Sequence, residues 1–274
     1  MKRYSKIIIH VVLIVGLLVS LMPFLWMLST SLKEPGEVML YPPKWIPAIF
    51  QWNNYIEIWS IIPLGTFIKN TVIVTIMCMM GELLTASMVA FAFARLRFRG
   101  NNFLFWLVLS SMMLPGQVTM IPIFILFKTL GWVDTLKPLI VPSFLGGGAF
   151  YIFLLRQFFT SIPKELDEAA KLDGCSPLRI YWHIILPLSK PALATVAVFS
   201  FIAHWNDFMT PLIYLNSIEK QTLAIGLKWF QGQYGTNYHL LMAAATLALI
   251  PVMIIFFIAQ KYFVRGISMT GLKA

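Results

Sequence analysis

The 274 residues include 21 Lys and Arg against 11 Asp and Glu, a formal net charge of +10, yet only 12% of the chain is charged, 59% is apolar and the mean hydropathy is +0.79. A soluble domain has about 25% charged and about 45–50% apolar residues, so this is the composition of a membrane protein and leaves no room for a large soluble domain besides. The basic residues flank apolar runs instead of forming a basic face, which argues against nucleic acid as a partner, and Cys78 and Cys175 fit free thiols, not a disulfide framework or paired zinc ligands.

The chain opens on Lys2, Arg3 and Lys6, followed by an apolar run from about Ile7 to Leu32 in which His10 is the one ionisable residue. The run is longer than a signal-peptide core and no small-x-small cleavage site follows, so it predicts a first transmembrane helix. Runs near the ~20 residues needed to cross a bilayer as helix place six spans, at about 9–31, 71–94, 103–127, 139–158, 192–215 and 240–262. The expectation is an all-α membrane protein with a single transmembrane domain over 1–274. Between the first two spans, 42-PPKWIPAIFQWNNY-55 is too apolar for a disordered loop; it predicts an ordered segment with an amphipathic piece around 53–62. Pro23, Pro115, Pro122, Pro142, Pro211 and Pro251 fall within spans and predict kinks. Gly146-Gly147-Gly148 opens the fourth span and permits either close helix approach or local flexing.

Placement of Lys and Arg gives the orientation. Loops on the side of the N-terminus hold fourteen, including Arg95, Arg97 and Arg99, whereas the opposite side holds seven. The bias puts both termini and the loop at about 159–191 in the cytoplasm.

Polar groups at membrane depth are functional candidates by default. Glu82 lies in the second span, and His204-Trp205-Asn206-Asp207 lies in the fifth. An aromatic beside amide and carboxylate groups suits stacking on and hydrogen bonding to a sugar; a polar cluster between helices or a contact to a partner subunit uses the same residues. The four histidines are scattered, which gives no metal site.

The stretch 161-SIPKELDEAAKLDGCSPLRIYWHIILP-187 holds four of the eleven acidic residues, Glu165, Asp167, Glu168 and Asp173. Pro163 suits a first helical position and the acids suit the positive end of the helix dipole, predicting a helix over about 163–173. Leu166, Ala169 and Ala170 then share one face, with Glu165, Asp167, Glu168 and Lys171 on the others. Gly174 is a natural stop, and Ser176-Pro177 is an N-cap with proline at the first position of a second short helix. Ten residues are marginal as an isolated helix, so packing must hold it, against this protein's own membrane face or against a partner.

Within that stretch Glu168-Ala169-Ala170, three residues, Gly174, nine residues and Ile184-x-Leu186-Pro187 match the EAA-x3-G-x9-I-x-LP signature, so the chain resembles the permease subunits of bacterial ABC importers. Segments 90-AFAFARLRFRG-100, 112-MMLPGQVTMIP-122, 153-FLLRQFFTSIP-163, 204-HWNDFMTPL-212 and 260-QKYFVRGISMTGLK-273 are similar to the carbohydrate-uptake branch, in the manner of the maltose system's smaller, six-span subunit. The resemblance implies a type I ABC importer permease fold in the bacterial inner membrane, with a cytoplasmic coupling helix. It implies as partners a second, different permease, two ATP-binding subunits, an extracytoplasmic solute-binding protein and a sugar. Residues Glu168, Ala169, Ala170, Asp173, Gly174, Ile184, Leu186 and Pro187 would then couple this chain to the ATPase. The chain has no G-x-x-x-x-G-K-[ST] phosphate loop, so it is expected to be no enzyme and to bind no cofactor, ATP and Mg belonging to the partner. The competing reading, a self-contained secondary transporter or channel in which Glu82 and Asp207 couple ions, lacks inverted-repeat symmetry.

Overall fold

The computed structural model describes residues 2–232 and 235–270. In chain order the main helices are α1 (Lys2–Ser31), α2 (Asn54–Ile61), α3 (Leu64–Arg95), α4 (Asn101–Ser110), α5 (Gly116–Thr129), α6 (Ala149–Ser161), α7 (Glu165–Leu172), α8 (Lys190–Trp205) and α9 (Tyr238–Thr270). Short helical pieces and one two-residue hairpin, pairing Gln231 with Thr236 and Gly232 with Gly235, connect them.

Among the described residues, four segments are long and apolar enough to cross a membrane unaided: Lys6–Ser31, Leu64–Arg95, Lys137–Ser161 and Tyr238–Gln260. The expected third span is two helices joined at a bend of 97° between Asn101–Met113 and Gly116–Thr129, whereas the expected fifth, 192–215, falls on Lys190–Trp205 and Met209–Tyr214, with a further bend of 79° before it between Pro177–Leu188 and Lys190–Trp205. Six crossings result when each bent pair is counted as one. Hydropathy could not see the first bend, because it interrupts the hydrogen-bond ladder without interrupting the apolar run. Pro115 is extended at the first bend, with Leu114 extended before it, as steric crowding by a following proline requires. At the second bend Pro187 and Pro191 flank Ser189, and the preceding turn Tyr181–Ile185 is widened into a π-helix. The ring of Pro187 crowds the carbonyl four residues back, at His183, and a wider turn relieves that crowding.

The chain packs as two compact units. The first comprises the residues up to Gly65 together with Ile225–Pro251. The apolar side chains of α1 from Ile7 to Val19 are exposed along the helix, as suits a helix lying in lipid. Beyond α1 the chain folds back, as its aromatic content predicted. Lys33 is buried, donates from Nζ to the Lys44 carbonyl at 2.6 Å and lies 4.0 Å from the centre of the Trp26 ring. Burial lowers its pKa, and the Glu37 carboxylate opposes that shift. Glu37 in turn accepts from the Ala48 N–H at 3.0 Å, and Asn54 donates to the carbonyls of Ser31 and Lys33. The amphipathic piece expected near 53–62 is α2, with Ile58 buried and Trp59 exposed.

The second unit comprises Thr66–Ala224 and the residues from Val252 on. One core joins α3 (Ala86, Ala90, Phe91), α6 (Ile152, Leu155, Phe159), α7 (Ala170) and the turns around Ile180, Tyr181 and Ile185. A second core gathers Val74, Cys78, Phe127, Leu139, Tyr214 and Leu215. The glycine run resolves in favour of close approach: at Gly147, φ is +67° and a β-carbon would lie 2.6 Å from the backbone nitrogen of Ala86 on α3. Asp134 ties the loop before residue 137 to Asn216, Ser217 and Lys220. The hydroxyl and N–H of Ser217 hold its carboxyl below the ordinary carboxylate range.

Candidate functional site

The charged loop folds as two short helices about a glycine turn. Helix α7 ends at Leu172; Asp173 is its C-cap and Gly174 follows with φ +78°. The Gly174 N–H donates to the Lys171 carbonyl at 3.0 Å and the Cys175 N–H to the Ala170 carbonyl at 2.9 Å. These two bonds are a Schellman motif, which needs the left-handed residue that glycine supplies at least cost. Ser176 then caps the next helix, accepting from the Arg179 N–H at 3.3 Å.

Helix α7 packs one side against its own chain. Asp167 and Ala170 point inward, while Leu166, Glu168 and Ala169 are exposed. An ion pair reverses the apolar logic here. Arg95, the last residue of α3, places Nη1 3.4 Å from Asp167 Oδ2, with side chains 2% and 9% exposed. Its Nη2 donates to the carbonyls of Phe159 and Ile162 at 2.7 Å each. One guanidinium thus joins the end of the second span, the end of α6 and the inner face of α7. Tyr181 adds a second link to α3, its hydroxyl 2.7 Å from Ser87 Oγ. The sequence offered a faint signal for the first link, an arginine ending an apolar span, and none for its partner.

The signature residues therefore divide. Ala170 is in the core, Ile184 and Leu186 pack against it, Gly174 makes the turn and Pro187 shapes the bend. Glu168, Ala169 and Asp173 remain exposed, beside the exposed apolar side chains Leu172, Leu178 and Trp182. The loop thus presents apolar groups ringed by charge.

The membrane-depth residues also separate. Glu82 of α3 and His204 of α8 form a pair, with Oε1 and Nε2 2.9 Å apart. Both line a cavity of ≈ 610 Å³ together with Asp207, Gln117, Thr119 and Thr210. Asp207 accepts the Thr210 N–H at 3.1 Å. The breaks after Met113 and Trp205 put Gly116, Gln117 and Asp207 at this cavity, where an unbroken helix would have carried its backbone past. Trp205 is buried and stacks on Phe201, centroids 5.3 Å apart, and the Asn206 amide donates to the Ile202 carbonyl at 2.9 Å. Neither is among the residues that line this cavity.

Residues 82–269 match the family model described as binding-protein-dependent transport system inner membrane component. The chain is 34% identical over 280 residues to the arabinooligosaccharides transport system permease protein AraQ of Halalkalibacterium halodurans, covering 100% of both chains. It is 32% identical over 274 residues to the sn-glycerol-3-phosphate transport system permease protein UgpE of Pectobacterium atrosepticum, covering 97% of each. A subunit of a crystallised bacterial ABC transporter involved in the import of the acidic polysaccharide alginate superposes with a TM-score of 0.84 at 26% identity, over 95% of this chain and 97% of that one.

Proposed function

Because the chain belongs to the family of inner-membrane components of binding-protein-dependent transporters, as a carbohydrate-type ABC importer permease, we propose that it forms half of a sugar path and relays ATPase motion through residues 165–187. The observation that carries the relay is the two-sided loop. Its inner face is pinned by Arg95, Asp167 and Tyr181, and its outer face presents Leu172, Leu178, Trp182 and Glu168. A force applied to the outer face reaches α3 through a buried ion pair and the Ser87–Tyr181 hydrogen bond, and α3 carries Glu82 at the cavity. Packed elements shift as units more readily than they deform, so the loop acts as a lever.

On this reading the partners are a second permease, two ATP-binding subunits that hold ATP and Mg, and an extracytoplasmic binding protein that delivers the sugar. Residues 1–274 act as one permease domain with both termini in the cytoplasm. Likeness over the whole length to transport-system permeases weighs against a self-contained secondary transporter.

The test is reconstitution of the complex in liposomes. Wild type is expected to bring down an ATPase and a second permease and to take up sugar only with ATP. Glu168→Lys is expected to leave the chain folded while uncoupling hydrolysis from uptake. Coupling as in wild type would remove the relay, and uptake driven by an ion gradient without any ATPase would remove the permease reading itself.

A further inference from the structure

The cavity at Glu82 distinguishes classes of cargo by charge, an inference that rests on the permease reading and narrows it. Among the described residues its ionisable lining is Glu82, His204, Asp207 and Tyr214, with no lysine or arginine. Glu82 is 9% exposed; one carboxylate oxygen is held by His204, and the other, Oε2, is buried with no hydrogen-bond partner. A buried oxygen with unused lone pairs is costly unless a donor reaches it. Gln117, Thr119 and Thr210 add neutral groups that both give and accept hydrogen bonds.

A sugar hydroxyl matches this lining, since it donates to a carboxylate while accepting from an amide or hydroxyl. A phosphate ester or a uronate is an acceptor only where it is charged, and it sets like charge against Glu82 and Asp207. Among the described residues, the positive pole at the wall apart from His204 is the amino end of α5 at Gly116, about half an elementary charge. Two carboxylates outweigh it, and with His204 protonated the lining is still net negative. Within a low-dielectric span such a field is felt more strongly than in water. We infer that the cargo is an uncharged carbohydrate, and that Glu82 and Asp207 discriminate against anionic sugars in the membrane path itself.

The experiment uses the full complex in proteoliposomes with its own binding protein, read as maximal uptake rate at saturating loaded binding protein, so that capture does not contribute. Probes are neutral mono- to tetrasaccharides against glycerol 3-phosphate and uronate oligomers of matched length. Neutral probes are expected to exceed anionic ones by on the order of tenfold or more, and Glu82→Gln with Asp207→Asn is expected to shrink that ratio. Preferential uptake of an anionic probe, or a ratio unchanged in the double variant, overturns the inference. Both of those results would come with ATP-dependent uptake and leave the permease reading standing, whereas uptake without ATP strikes the permease reading instead.

Discussion

Arg95 and Asp167 are the residues on which the inner face of the loop turns, because both are withdrawn from water and each neutralises the other. Removing one partner of a buried pair leaves an uncompensated charge and costs about 3–5 kcal/mol, whereas replacing both by apolar groups of similar size is often near neutral. Arg95→Ala and Asp167→Leu are each expected to lower the melting temperature of the detergent-purified complex and to release α7, seen as faster proteolysis at Lys164 or Lys171. Arg95→Met with Asp167→Leu should recover most of the loss. Additive losses in that double-mutant cycle would show that the two side chains act independently.

At the scale of elements, two glycines of positive φ do different work and predict different sensitivities. Gly174 has open space where a β-carbon would stand, so Gly174→Ala meets only the backbone cost of a left-handed residue, about 1–2 kcal/mol. Gly147→Ala meets a comparable backbone cost and also a contact of 2.6 Å with the backbone of Ala86, which no side-chain rotation relieves. The expected order of folded yield is wild type, then Gly174→Ala, then Gly147→Ala, measured by size-exclusion recovery after solubilisation. Equal recovery of the two variants would mean that the glycine segment moves away from α3 freely. Pro115, and Pro187 with Pro191, act at the same scale: by removing N–H donors they allow the two sharp bends, and the first of these brings the start of α5 to the cavity.

For the whole molecule, orientation is the property that the lever requires, since the loop reaches an ATPase only from the cytoplasm. The two-to-one excess of Lys and Arg is the argument for that orientation. Leu172 is 90% exposed on α7 and Tyr41 is 93% exposed in the loop after α1, so single cysteines at these sites test the proposed orientation. With Cys175 replaced by serine, Leu172→Cys should react with an impermeant maleimide in inside-out vesicles and Tyr41→Cys in right-side-out ones. Labelling of both from one side would remove the topology, and with it the relay.

How much was legible in the sequence follows from which interactions are local. Apolar run length, cap residues and the spacing of Gly174 and Pro187 act within a few turns of chain, so the sequence by itself determined the helical membrane class, the folded outer loop, the helix–turn–helix of the charged stretch and the family signature. Apolar periodicity sets Leu166, Ala169 and Ala170 on one face; the structure leaves Leu166 and Ala169 exposed and buries Ala170 with Asp167. Only the tertiary structure brings Arg95 seventy-two positions back in the chain to meet it. The same holds at the cavity: Glu82 and His204 are 122 residues apart, and no local pattern joins them. The bend at Pro115 and the break after Trp205 set Gln117 and Asp207 beside that pair, and Trp205 packs on Phe201. Local chemistry fixed what each segment is, and long-range packing of charge against charge decided which of its faces is left to work.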